Sequence, residues 1–259
     1  MTTIEQREAK VRTFHDLHAG PDMLVMANAW DAASAQRFEA AGFPAIATTS
    51  GGVASALGYG DHEQAPVDEM LASAARIIRA TSLPVTVDFE AGYGLAPAEI
   101  ARRLVEIGAV GLNLEDTDHG AGVLRAAEAQ AERLAAVKAE ARRLGVDLLL
   151  NARVDVFIRR EGDIETQVAE GTRRARLYRE AGADCIYPIA LSDPAALRAM
   201  VAASGTINVT LRRGGPLSIE TARATGARRA TYATSLFRDT MNALDAIAAE
   251  IRAAVLEQQ

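Results

Sequence analysis

Val85-Thr-Val-Asp-Phe-Glu-Ala-Gly-Tyr-Gly94 is the stretch on which the reading of the whole chain turns. Pro84 followed by Val85–Val87 predicts a short buried β-strand with Asp88 and Glu90 at its end. Side chains alternate faces along a strand, which puts Thr86, Asp88 and Glu90 on one face. Two acids on one face followed by Gly-Tyr-Gly suit a hard cation held under a tight loop. The plainer alternative is a solvated strand end with charge for solubility, and the flanking segments decide between the two.

Outward from this strand, short apolar runs alternate with amphipathic segments in both directions. Upstream, Ile4–His18 predicts a leading helix within residues 1–20, stopped by Gly20-Pro21. Leu24–Asn28 follows as a first strand, and Asp31 can cap a helix through Ala41 that stops at Gly42. Ala45–Thr49 is a second strand, with Val67–Ala80 as its helix. Downstream of Val85–Asp88 come Ala98–Ile107, a strand at Val110–Glu115 and a long helix from about Ala126 to Leu144. Asp147–Ala152 pairs with Ile164–Ala181, and Asp184–Tyr187 with a helix opened by Asp193-Pro194. Thr206–Thr210 with a short helix from Ser218, then Arg228–Tyr232 with Leu236–Leu256, complete eight units. Alternating β and α segments rich in Val, Ile and Leu predict a parallel sheet. Eight of them in 259 residues predict an α/β fold of one domain, a closed (β/α)8 TIM barrel. No glycine-rich dinucleotide fingerprint follows the first strand, where Asn28-Ala-Trp-Asp31 stands.

Composition narrows the classes. A net charge of −6 lacks the basic face of a nucleic-acid binder, so no nucleic-acid partner is expected. The single cysteine, Cys185, permits no intramolecular disulfide and fits a reducing compartment. No apolar run reaches the ~18 residues of a membrane span, so no membrane partner is expected. The polar, acidic start Met1-Thr-Thr-Ile-Glu-Gln-Arg-Glu is unlike a signal peptide. A cytoplasmic protein is the expectation.

In a (β/α)8 barrel, reactive groups gather at the carboxyl ends of the strands. There this sequence places Asp88, Glu90, Glu115 and Arg153, accompanied by Asn28, Thr48, Asn113, Asn151, Tyr187, Asn208 and Thr210. Charges in an apolar funnel need compensation, either from one another or from a ligand. Asp88, Glu90 and Glu115 supply three carboxylates with no histidine or cysteine among them. Oxygen-only ligation disfavours zinc and favours Mg²⁺ or Mn²⁺. Asp61, in Gly58-Tyr-Gly-Asp61, either holds a metal-bound water or is a turn aspartate. Ser50-Gly51-Gly52 either turns backbone N–H groups toward an anion or is a plain flexible turn. Arg153 can take a carboxylate bidentately. Arg212-Arg-Gly-Gly215 falls where such barrels bind phosphate, with an exposed arginine pair as the favoured alternative.

At these residues the chain resembles the isocitrate lyase/phosphoenolpyruvate mutase superfamily. The resemblance is carried in order by Asn28-Ala-Trp-Asp31, Thr48-Thr-Ser-Gly-Gly52, Asp88-Phe-Glu-Ala-Gly-Tyr-Gly94, Gly111-Leu-Asn-Leu-Glu-Asp116 and Asn151-Ala-Arg153. It implies a Mg²⁺ enzyme that binds a 2-oxo acid or related carboxylate and makes or breaks a C–C or P–C bond through an enolate. It implies Asp88 as the direct metal ligand, with Asp61, Glu90 and Glu115 holding metal-bound waters. Ser50 and Gly51 are implied as carboxylate binders and Arg153 as the anchor for the other end of the substrate. Glu90 stands where aspartate is commoner in the family. The resemblance also implies a homodimer or homotetramer with the final helix, residues 236–256, exchanged between subunits.

One departure bears on the reaction. The family's carbon–carbon lyases carry a lid with Lys-x-Cys-Gly-His, and its phosphonopyruvate enzymes a lid lysine and asparagine. Here the place reads Asp116-Thr-Asp-His-Gly-Ala-Gly-Val-Leu-Arg125, without cysteine or lysine. The expectation is therefore a lyase for a small 2-oxo dicarboxylate, most simply an oxaloacetate-type decarboxylase, which needs no lid base. The alternatives are retro-aldol cleavage of a substituted malate or (methyl)isocitrate-like acid, with Tyr187 or His119 as acid/base, and a catalytically weak 2-oxo-acid binding protein. Gly120 and Gly122 predict a mobile lid carrying His119. The only lysines, Lys10 and Lys138, fall in outer helices, so no Schiff base is expected.

Overall fold

The structure is a computed structural model that describes residues 4–256. Its helices are α1 Ile4–Ala19, α2 Ala32–Ala40, α3 Ser50–Leu57, α4 Val67–Ala80, α5 Pro97–Ile107, α6 Ala127–Arg143, α7 Val156–Arg159, α8 Ile164–Glu180, α9 Pro194–Ser204, α10 Ile219–Ala224 and α11 Ser235–Leu256. Its strands are β1 Leu24–Ala29, β2 Ile46–Thr48, β3 Val85–Asp88, β4 Gly111–Glu115, β5 Thr117–Asp118, β6 Val123–Leu124, β7 Leu149–Val154, β8 Cys185–Pro188, β9 Asn208–Thr210 and β10 Arg229–Thr231.

Eight strands pair in parallel in the order β8-β7-β4-β3-β2-β1-β10-β9. The two outer strands meet through a parallel bridge between Ile186 and Ile207, and the Ile186 N–H donates to the Thr206 carbonyl at 3.0 Å. That contact brings the two ends of the sheet together into the expected (β/α)8 barrel, nearly closed.

Helix boundaries follow local chemistry. Asp31 accepts from the Ser34 N–H at 2.7 Å, and the Ser34 hydroxyl returns the favour to the Asp31 backbone in a capping box. Asp163, Asp193 and Ser218 cap α8, α9 and α10, each side chain accepting from the N–H three residues on. On α4, Met70, Leu71, Ala74, Ile77 and Ile78 recur on one face and are buried against the sheet. At the floor of the barrel α1 inserts Phe14, which is fully buried.

Three elements differ from the sequence expectation. Ser50-Gly51-Gly52 is not a turn but the start of α3, capped by the Thr49 hydroxyl. Residues 117–124, expected as a lid, form the antiparallel hairpin β5–β6. A four-residue helix, α7, follows β7. Lys138 sits in the outer ring as expected, its Nζ bonded to the Leu148 carbonyl at 2.8 Å and paired with Asp184 at 2.6 Å and Asp147 at 2.9 Å. Lys10 donates to the Thr81 carbonyl, also outside the barrel. No helix among the described residues is long and apolar enough to cross a membrane.

Candidate active site

A cavity of about 300 Å³ opens at the carboxyl ends of the strands. Four acids line it from the β2–β4 side of the sequence, Asp61, Asp88, Glu90 and Glu115, and three arginines from β7, the loop after β9 and α11: Arg153, Arg212 and Arg238. Of the phosphate-region pair, Arg212 therefore faces the cavity, while Arg213 pairs with Asp239 at 3.6 Å.

Asp88 ends β3 and is held by the start of α3. Its Oδ2 accepts from the Ser50 N–H at 3.1 Å and hydroxyl at 2.7 Å, while Oδ1 has only a long contact, 3.4 Å, from the Asn113 amide. Ser50 thus grips a carboxylate of the chain itself. The glycines behind it are there for space. A Cβ on Gly51 would stand 2.6 Å from the Asp61 Oδ2, and one on Gly52 2.6 Å from the Thr49 Cγ2. Neither lines the cavity.

Glu90 reaches the cavity by a different route from the one expected. The strand stops at Asp88, and Glu90 has φ +47, so a left-handed turn and not strand alternation aims it. Its carboxylate accepts from the Glu63 N–H at 2.6 Å and from the Tyr93 hydroxyl. Burial pushes its pKa up to about 7, only partly offset by the Tyr93 hydroxyl. Glu115 is 1% exposed and touches the Arg153 Nη1 and the His119 Nε2. Burial raises its pKa above the ordinary carboxylate range, against the pull of Arg153 and His119.

Arg153 is already engaged. Its Nε and Nη2 fork onto Asp155 at 2.6 and 3.1 Å, and its Nη1 meets Glu115. Burial works against its charge, but Glu115, Asp155 and Asp88 more than compensate, and it stays protonated. The expected anchor is a guanidinium shared by two carboxylates. Tyr187 lines the cavity with its hydroxyl bonded to Thr210 at 2.7 Å. Asn151 and Asn208 are fully buried and do not line it. Asn151 donates instead to the Asn113 side-chain Oδ1 at 2.7 Å, and Asn208 to the Thr231 hydroxyl at 3.1 Å, each bracing a residue that does line it. His119 is turned onto Glu115, with its ring 5.1 Å from that of His62, which does line the cavity.

Four carboxylates at one cavity, without cysteine, fit an oxygen-preferring divalent cation. Among the described residues no three such groups converge tightly enough to enclose a bare ion. The set fits an ion that keeps several waters and takes the lightly bonded Asp88 Oδ1.

Sequence reasoning missed His62, Asp116, Asp155, Arg174, Arg229 and Arg238. Only Asp155 carried a local signal: it lies two residues beyond Arg153 and so on the same face of the strand end.

The phosphoenolpyruvate phosphomutase family model matches residues 14–252. The solved structure of a candidate phosphonomutase from Burkholderia cenocepacia J2315 superposes with a TM-score of 0.86 at 39% identity, covering 92% of this chain and 98% of that one. The 2-methylisocitrate lyase of Escherichia coli K12 is 29% identical over 221 residues, 82% of this chain and 73% of its own. The oxaloacetate decarboxylase of Bradyrhizobium diazoefficiens is 31% identical over 209 residues, 76% and 68%. Barrel, strand-end acids and these matches agree: the chain belongs to the phosphoenolpyruvate phosphomutase family, within the isocitrate lyase/phosphoenolpyruvate mutase superfamily of lyases and mutases.

Proposed function

We propose that this protein is a Mg²⁺- or Mn²⁺-dependent lyase for a small 2-oxo dicarboxylate, most simply an oxaloacetate-type decarboxylase. The observation that carries the reading is a single cavity with four carboxylates and three arginines but no lysine or cysteine. A divalent cation bound there supplies Lewis-acid stabilisation of an enolate. Asp88 would hold it, and Asp61, Glu90 and Glu115 would hold its waters. The arginines neutralise the acid groups of the substrate. Decarboxylation breaks one C–C bond, leaves the electron pair on the enolate and releases CO₂. The enolate then needs one proton, which the Tyr187 hydroxyl stands in the cavity to deliver.

The same Tyr187, bonded to Thr210, favours retro-aldol cleavage of a substituted malate as the second reading. A panel of 2-oxo and 2-hydroxy acids, assayed with Mg²⁺ for pyruvate or glyoxylate release, separates them. Oxaloacetate is expected to yield pyruvate, and excess chelator to abolish turnover. Undiminished activity in chelator sinks the metal reading, and tight binding of the acids without turnover would favour a binding protein. We also propose a homo-oligomer. From Met241 onward α11 has no buried residue and shows Leu244, Ile247, Ile251 and Val255, each 45–61% exposed, an apolar stripe that a second copy would cover. Light scattering tests this.

A further inference from the structure

We propose that Asp155 is a positioning residue that ties the hairpin β5–β6 to Arg153, so that seating an acid group on Arg153 and ordering the hairpin are one event. The inference rests on the reading above that Arg153 meets the substrate.

Asp155 is 2% exposed. Its Oδ1 accepts from the Arg153 Nε at 2.6 Å. Its Oδ2 accepts from the Arg153 Nη2 at 3.1 Å and from the Thr117 hydroxyl at 2.5 Å. Thr117 is the first residue of the hairpin. The other foot stands on the same network. The Arg125 N–H donates to the Asp116 carbonyl at 2.8 Å, and the Arg125 carbonyl accepts from the Arg174 Nη1 at 2.9 Å. The Asp116 carboxylate accepts from the Asp155 N–H at 2.9 Å, Arg174 at 2.9 Å and the Tyr178 hydroxyl at 2.8 Å. The partners come from β7, α8 and the segments after β4 and β7, so no single loop can shift without breaking a buried charged contact.

A guanidinium has five N–H donors. Asp155 takes two from Arg153 and Glu115 meets Nη1 as an ion pair, which leaves N–H groups on Nη1 and Nη2, the fork that an acid group accepts. An acid group there competes with Asp155 and Glu115 for the charge. Any shift of Arg153 alters Asp155, and with it Thr117, although Thr117 does not line the cavity.

The test uses hydrogen exchange over residues 117–125 and titration with oxalate plus Mg²⁺, an analogue of a bound enolate, on wild type, Thr117→Val, Thr117→Ser and Asp155→Asn. Thr117→Val is expected to speed exchange of the hairpin alone and to weaken oxalate roughly fivefold or more, the lower end of couplings between linked sites. Thr117→Ser, which keeps the hydroxyl, should match wild type. Oxalate should protect the hairpin in wild type but not in Thr117→Val, and Thr117→Val should add nothing in the Asp155→Asn background. If Asp155→Asn does not fold, the Thr117 pair decides. Wild-type oxalate affinity and hairpin protection in Thr117→Val, or effects that multiply in the double variant, overturn the linkage alone. A wild type that binds no oxalate with Mg²⁺ overturns the acid-binding reading, and the linkage with it.

Discussion

Arg153 and Arg229 are both buried in one barrel, one at the mouth and one at the floor, and their surroundings are opposites. Arg153 has two carboxylates on its guanidinium. Arg229, fully buried at the start of β10, has none. Its Nη2 donates to the Asn113 side chain at 3.3 Å, its guanidinium lies 5.9 Å from the Phe14 ring centroid, and its Nε and Nη1 have no hydrogen-bond partner in the protein. The difference extends to the neighbours. At the mouth, pairing keeps the Arg153 charge in place despite burial. At the floor desolvation wins: burial, then the Arg229 charge, push His18 down to about 3. A site that handles a charged ligand needs the first arrangement, because matched charges can be exchanged for those of the ligand.

The same substitution at both places tests this contrast. Arg153→Met should cost roughly 3–5 kcal/mol of stability, because it leaves the buried carboxylates of Asp155 and Glu115 without the guanidinium that compensates them. It should also weaken acid binding by roughly 2–5 kcal/mol. Denaturant unfolding and titration with oxalate plus Mg²⁺ read the two effects, and unchanged values for both would show that the mouth does not depend on paired charge.

The next effect in size belongs to His18. Its folded value of about 3 lies below its ordinary 6.5. As pH falls below 6.5 the unfolded chain takes up a proton that the folded barrel refuses, so this contribution is intact above pH 6.5 and is lost between 6.5 and 3. At pH 5 the loss is about 2 kcal/mol. His18→Gln cannot titrate, so the stability gap between wild type and variant should change by that amount from pH 7 to pH 5. A constant gap in unfolding measurements would place His18 in a wetter setting than the floor described above.

Arg229→Met should be the mildest. It removes a buried cation that no carboxylate compensates and replaces it with an apolar chain of similar length, so stability should stay within about 1 kcal/mol of wild type or rise. A loss as large as that of Arg153→Met would mean that the floor holds its charge as firmly as the mouth.

What could be read from the chain alone was whatever depends on neighbours in sequence. Val67–Ala80 was recovered to the residue because its apolar stripe and flanks are local. Strand ends were recovered to within a residue or two, and that sufficed to bring Asp88, Glu115, Arg153 and Tyr187 to one cavity. Helix α3 was missed because it is short and starts Ser-Gly-Gly, residues that read as a turn; the Thr49 cap and close tertiary neighbours such as Asp61 and Trp30 override that preference.

The sequence by itself determined the barrel and the chemical kind of its mouth, since periodicity, caps and strand-end acids are properties of short windows. Only the tertiary structure decided which acids are paired, which arginine is committed and which is free, and what the hairpin stands on. Asp116 meets Arg174 across 58 residues and Arg229 meets Asn113 across 116. A buried charge is governed by the partner that replaces its water, and no local pattern names a partner that chain closure brings from another strand.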